Sequence, residues 1–201
     1  MKNRGYYLLE NFLEKIPNGK VLDLGCGNAK DSLFLAQRGF SVHAIDIDSK
    51  IIKNLKQEPK KEKLKINIIK ADIRKFPIKE NTYDLILAIN SLIFMKKSEL
   101  QKIITKIKKG VKNNGIVIIS GFTTKDSSYL KLKKRYQPIE KNAFKDSNKQ
   151  YWQFFSKNEL KSYFLNGFEI LFYSERNVKD SIPYSHTHGI AEIVAKKIKR
   201  H

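Results

Sequence analysis

Cysteine is nearly absent. Cys26 is the only one in 201 residues, so the chain forms no intramolecular disulfide and holds no cysteine-rich metal site. Long apolar runs are also missing. Nothing approaches the ~18 residues needed to cross a bilayer. The opening MKNRGYYLLENFLEKI breaks its apolar positions with charge and lacks a secretory core. A cytoplasmic protein without membrane contact is expected. Arginine is scarce: among 40 basic residues only Arg4, Arg38, Arg74, Arg135, Arg176 and Arg200 are arginines, against 20 acids and a net charge of +20. Arginine supplies most bidentate recognition of phosphates and bases, and the lysines run along the whole chain. The charge therefore reads first as a solvated basic surface, which makes a specific nucleic-acid partner an alternative rather than the main reading.

Hydrophobic periodicity organises what is there. Leu8, Leu9, Phe12, Leu13 and Ile16 recur at helical spacing, predicting a helix within residues 1–18 that Pro17-Asn18-Gly19 ends. Val21 to Leu24 reads as a short buried strand. A helix from Ser32 to Gln37 follows, stopped by Arg38-Gly39. FSVHAIDID, INIIKAD, YDLILAIN and NNGIVIIS read as further strands. Helices lie between them, one capped by Ser49 and one with Ile103, Ile104 and Ile107 on a face. KQEPKKEKLK (56–65) reads as a solvated connector. Residues 121–153 are polar with scattered aromatics and weak periodicity. Ser156 is placed to cap a helix carrying Leu160, Tyr163, Phe164 and Leu165. GFEILFYSE and GIAEIVAKK then form two strands joined only by a loop. Strands alternating with helices predict an α/β, Rossmann-like three-layer sandwich around a mostly parallel sheet, closed by an antiparallel hairpin at its C-terminal end. No repeat or linker divides the chain, so one domain spanning 1–201 is expected.

Ligands of open parallel sheets bind beyond the carboxyl ends of the strands, where strand order reverses. The turn after the first strand, VLDLGCGNA, is therefore the place to look. Gly25 and Gly27 permit positive φ and close approach of a ligand to backbone. A dinucleotide fingerprint would put its last small residue at position 30, where Lys30 stands. The small residue is Ala29 instead, which fits a tight turn at negative φ. Asp23 would repel a pyrophosphate and suits a ligand with a cationic amino-acid end. Asp46 ends the second strand, where an acid can accept two ribose hydroxyls. Asp72 ends the third strand and could accept from an adenine amino group; Asn90 ends the fourth. Four polar residues at consecutive strand ends beside a glycine turn are poorly explained as four independent turn formers.

Taken in order, VLDLGCGNAKDS, VHAIDID, KADI, YDLILAINSLIF and KNNGIVII resemble the motifs of class I S-adenosylmethionine-dependent methyltransferases, over roughly residues 4–197. The resemblance implies a seven-stranded sheet with one antiparallel member among its last two strands, and S-adenosylmethionine as cofactor. It implies that Gly25, Gly27 and Ala29 cradle the methionine part and that Asp23 lies near its amino group. It further implies that Asp46 meets the ribose and Asp72 the adenine, with Ile47, Ile73 and Asn90 also among the cofactor-binding residues. Two departures are visible: Ala29 stands where many members have glycine, and KNNG where many have Pro-Gly-Gly.

The methyl acceptor sets the remaining requirements: an oriented nucleophile, sometimes a base, and exclusion of water. His186 and His188 are two apart in the final loop and face the same way if that loop is extended. They are the candidate catalytic residues, as a general base or an oxyanion clamp, with packing as the alternative. A metal would want a third ligand; only Glu192 is in reach, and no metal is expected. Phe122, Tyr129, Tyr151, Trp152, Phe154 and Phe155 could roof a pocket, which makes 121–153 a candidate substrate-side lid suited to a small acceptor. The tail, with GNAKDSLFLA and FFSKNELKSYF, resembles the tellurite-resistance branch of the methyltransferases. Its members methylate tellurium and selenium oxyanions, and in it a final-loop histidine is a proposed base or oxyanion contact. Thr187 stands between the histidines here, where members often carry arginine nearby. Methyl transfer to a small acceptor, such as a chalcogen oxyanion or thiol-like compound, is the expected function. A tRNA or rRNA methyltransferase is the alternative suggested by charge, although NSLI stands after strand four instead of an Asn-Pro-Pro-Tyr-type motif. A non-catalytic nucleotide-binding protein is a further alternative. Nothing in the sequence speaks to oligomeric state.

Overall fold

The structure, a computed structural model, describes residues 4–56, 64–180 and 186–199. The middle of the lysine-rich connector (57–63) and part of the final loop (181–185) lie outside the described residues. The chain runs α1 (Arg4–Phe12), a single 3-10 turn, β1 (Lys20–Leu24), α2 (Lys30–Ala36), β2 (Ser41–Asp46), α3 (Ser49–Lys56), β3 (Ile66–Lys70), β4 (Tyr83–Ile89) and α4 (Lys97–Gly110). It continues through β5 (Val111–Phe122), α5 (Ser127–Arg135), β6 (Ala143–Lys145), β7 (Tyr151–Gln153), α6 (Glu159–Ser162), β8 (Phe168–Asp180) and β9 (His186–Lys197).

Seven strands form one sheet in the order β3-β2-β1-β4-β5-β9-β8. Pairings from β3 through β5 are parallel, and β9 is antiparallel to both β5 and β8. The order reverses between β1 and β4, so the switch point lies at the carboxyl ends of those two strands. Alternate residues of the central strands feed two cores. Leu85, Leu87, Ile116 and Ile118 face α1 and α2. Ile86, Ala88, Val117 and Ile119 face α4 and the segment carrying Leu160 and Phe164. Burial on both faces is why these strands read as unbroken apolar runs instead of alternating ones.

Several local expectations change. The segment 121–153 is not irregular: it contains α5 and the β6–β7 hairpin. Phe154 and Phe155 are core residues, 0% and 1% exposed, so the proposed aromatic roof is mostly packing. The helix after Asp46 is capped by Asp48, whose Oδ1 accepts from the Lys50 N–H at 2.8 Å, one residue earlier than Ser49. Ser156 does not cap α6 with its hydroxyl, which accepts from Asn142 Nδ2 at 2.8 Å. The KNNG segment, expected as a turn before a strand, is a register shift inside β5 with Asn114 at φ 64.

Candidate functional site

The turn between β1 and α2 is pinned to β2. The Gly25 and Cys26 N–H groups donate to the Ile45 carbonyl at 2.8 and 2.9 Å, and the Gly27 N–H donates to Asp46 Oδ2 at 2.9 Å. Asp46 Oδ1 accepts from the Asp48 N–H at 2.9 Å. Each carboxylate oxygen thus takes one backbone donor and retains a lone pair for another. The two glycines do different work. A Cβ on Gly25, at φ 76, would stand 2.4 Å from Ser91 Cβ, so this glycine lets β1 and the β4 turn meet. A Cβ on Gly27, at φ 50, meets nothing within 4 Å. Gly27 therefore faces open space, with its positive φ held by the bond to Asp46.

Ala29 corrects the expectation of negative φ. It sits at φ 53 with no exposure, just before α2. A left-handed alanine costs roughly 1–2 kcal/mol. Burial of its methyl group in the core shared with Leu35 and Ala44 offsets part of this.

Asp23 is 3% exposed and accepts from the Ser32 hydroxyl at 2.6 Å. Burial pushes its carboxyl up to about 7; the Ser32 hydrogen bond opposes the rise, while nearby Asp31 and Asp46 add to it. Asp31 is likewise raised, to about 6, by burial. Asp23 is thus a carboxyl poised near neutrality, in a form that a nearby cation would ionise.

The remaining strand ends divide. Asp72 follows β3, and its carboxylate is filled by Arg74: Nε donates at 2.9 and 3.0 Å, Nη2 at 2.7 Å, and the Arg74 N–H at 2.9 Å. That guanidinium holds Asp72 below the ordinary carboxylate range. Ile47, just beyond Asp46, is 60% exposed, whereas Ile73 packs partly into the core. Asn90, at φ 52, accepts from the Ser120 hydroxyl at 3.1 Å. Ser91 Oγ is buried and has no hydrogen-bond partner among the described residues.

The histidines occupy a second cluster along the same edge of the sheet. They lie within β9, not in a loop before it, and the edge strand is β8. As expected for an extended segment, they face the same way, with Nε2 to Nε2 at 2.8 Å. His188 stacks on Phe122 at the end of β5, 5.4 Å between ring centroids, and its Nδ1 lies 3.1 Å from Asp126 Oδ2. Asp126 is 1% exposed and also caps α5 through the Ser128 N–H at 2.8 Å. The approach depends on Gly189: a Cβ there would stand 2.5 Å from the Asp126 nitrogen. Glu192 is not near the pair's imidazoles as a ligand; it is buried and bonded to Arg176 at 2.9 and 3.2 Å. Sequence reasoning missed Asp126, Gly189, Ser32 and Ser91. Only Asp126 carried a usable signal, the Asp-Ser-Ser opening of a helix.

Comparison with known proteins defines the class first. A solved S-adenosylmethionine-dependent methyltransferase of Methanosarcina mazei superposes with a TM-score of 0.77 over 97% of this chain and 99% of that one, at 22% identity. The crystal structure of TehB from Haemophilus influenzae superposes with a TM-score of 0.74 at 26% identity, over 95% of this chain and 62% of that one. The fold of this chain is that of the class I S-adenosylmethionine-dependent methyltransferases. Its family follows from sequence: residues 9–180 match the family described as "Tellurite resistance protein TehB", and the chain belongs to it. The "Probable S-adenosyl-L-methionine-dependent methyltransferase TehB" of Haemophilus influenzae is 31% identical over 140 residues, 70% of this chain and 48% of that protein. The chain spans about half the length of the curated relatives it matches. Among the described residues no helix is long and apolar enough to cross a membrane.

Proposed function

We propose that this chain transfers a methyl group from S-adenosylmethionine to a small acceptor of the thiol or chalcogen-oxyanion class. The observation that carries the cofactor part is the Gly27 turn, tied to Asp46 and open on the side where a Cβ would point. When bound, S-adenosylmethionine supplies a methyl group already activated on a sulfonium. The chain's own task is to hold it, orient the acceptor and exclude water.

Asp46 offers its two remaining lone pairs to the ribose hydroxyls, and exposed Ile47 offers an apolar surface beside them. Asp23 ionises against the cofactor's cationic amino group. Asp72 accepts from the adenine only when Arg74 turns away. Arg74 is the more exposed partner, its side chain 42% exposed against 18% for Asp72, so it is the side chain that moves. Ile73 borders the adenine, Ala29 completes the turn around the methionine part, and the Ser91 hydroxyl, beside Asn90, finds a partner in the ligand.

His186 and His188 face the acceptor, with His188 oriented by Asp126 behind it. The α5 and β6–β7 segment covers that side of the sheet. Trp152 of β7 meets Phe94 from the β4–α4 connection, 5.1 Å between ring centroids with Phe94 41% exposed, an apolar surface that suits a compact acceptor. The cytoplasm, where thiols stay reduced, is the matching compartment. The test is a screen of radiolabelled S-adenosylmethionine against small thiols, chalcogen oxyanions and RNA. Label is expected in a small thiol or chalcogen product; label in RNA alone would overturn the acceptor assignment.

A further inference from the structure

Asp180, His186 and His188 converge. Asp180 and His186 are register partners across the β8–β9 hairpin, and His188 follows two residues along β9, so all three side chains share one face. Their candidate ligand atoms lie within 4.8 Å of one another. His186 Nε2 is 2.8 Å and Asp180 Oδ2 is 4.0 Å from His188 Nε2. Zinc–nitrogen bonds of about 2.0–2.1 Å at tetrahedral angles put two ligating nitrogens about 3.3 Å apart. The separations of 2.8 and 4.0 Å bracket that value, so side-chain adjustment would seat a cation between these atoms.

What lies behind His188 fits the same reading. With Nδ1 donating to Asp126, the neutral ring presents its Nε2 lone pair to the cluster. Asp126 is itself held by Ser128. A buried carboxylate bonded to the far nitrogen of an imidazole is the usual support of a metal-bound histidine. The sequence supplied only Glu192 as a third ligand; the hairpin supplies Asp180 instead.

We propose that Asp180, His186 and His188 form a zinc-type divalent cation site, with Asp126 as the positioning residue behind His188. Three protein ligands leave a position open, and the side chains of His188 and Asp180 are 21% and 10% exposed. An acceptor with a free lone pair, such as a thiolate, could occupy that position. This deepens the acceptor side of the proposed function, but the cation site is testable without the cofactor.

The experiment is titration of chelator-treated full-length protein with Co²⁺, followed by visible ligand-field absorption and displacement with Zn²⁺. One equivalent of Co²⁺ is expected to give the intense bands of a low-coordinate site, abolished in His186→Ala and weakened at least tenfold in Asp180→Asn. Asp126→Asn is expected to weaken binding 10–100-fold. A simple alkane thiol is expected to shift the bands. S-adenosylhomocysteine binding, measured on every variant, reports folding and tests the cofactor site separately. A protein that binds S-adenosylhomocysteine yet gives no bands, or whose Co²⁺ affinity survives His186→Ala, would overturn the cation site and leave methyl transfer standing.

Discussion

Gly25 and Ser91 touch across the switch point: a Cβ on Gly25 would stand 2.4 Å from the Ser91 Cβ, whereas one on Gly27 would meet nothing within 4 Å. Two glycines of one motif therefore answer to different constraints. Gly25→Ala is expected to destabilise the chain by roughly 2–4 kcal/mol, combining left-handed strain with overpacking. Gly27→Ala carries only the strain, about 1–2 kcal/mol, yet should weaken S-adenosylhomocysteine binding by more than that. Thermal unfolding and calorimetry on both variants check this. Equal destabilisation with unchanged binding would mean that both glycines serve the turn alone.

Asp23 gives a pH signature. Its folded value of about 7 lies above its ordinary 3.8, so the native state holds the proton more tightly than the unfolded chain. Its contribution is complete below about 3.8 and is lost as pH rises towards 7. Asp23→Asn removes this dependence while keeping an acceptor for Ser32. The Tm of the variant should therefore rise relative to wild type between pH 4 and pH 8. A Tm difference that does not move with pH would show that Asp23 stays ionised throughout.

If Asp23 faces the cofactor's amino group, binding should also release a proton below pH 7. Titrating S-adenosylhomocysteine in two buffers of different ionisation enthalpy would reveal it. Identical apparent enthalpies at pH 6 would place the amino group elsewhere.

The sheet was legible because its signals are local or periodic. The apolar runs of β1, β4 and β5, and the polar residues that end successive strands, follow from the geometry of a doubly covered parallel sheet. The left-handed φ of Ala29 was not legible. A buried methyl group holds it there, and that environment is assembled from helices distant in sequence. Asp126 was missed for the same reason: 62 residues separate it from His188, and the β5–β9 pairing brings them together. Asp180 is close to His186 in sequence; what the sequence hid is the β8–β9 register that sets the two opposite one another. The aromatics of 121–153 looked like a roof because weak periodicity hid a short helix and a hairpin whose inner faces need the same residues.

Gly189→Ala probes the acceptor side through backbone alone. The added Cβ would push the 123–126 segment off β9 and separate Asp126 from His188. Methyl transfer should fall along with that of His188→Ala, for which roughly 10²–10⁴-fold is expected if the imidazole moves a proton. S-adenosylhomocysteine affinity should barely change, since the Gly27 turn lies at the ends of β1 and β2. Full activity in both variants would assign the pair to packing.

The +20 charge makes its own prediction. RNA should bind weakly, with little sequence preference, and its affinity should fall steeply between 50 and 200 mM salt, on the order of the counterion-release slope. A tight, salt-resistant complex with one RNA would make the lysines a recognition surface.

The most direct test of the account is calorimetric titration of S-adenosylhomocysteine into the wild-type chain and Asp46→Ala. Binding of one molecule per chain is expected, with the variant weaker by about 1–3 kcal/mol as the ribose hydroxyls lose a charged acceptor. Absence of binding to the wild type, or equal affinity in both proteins, would contradict the cofactor site at the Gly27 turn.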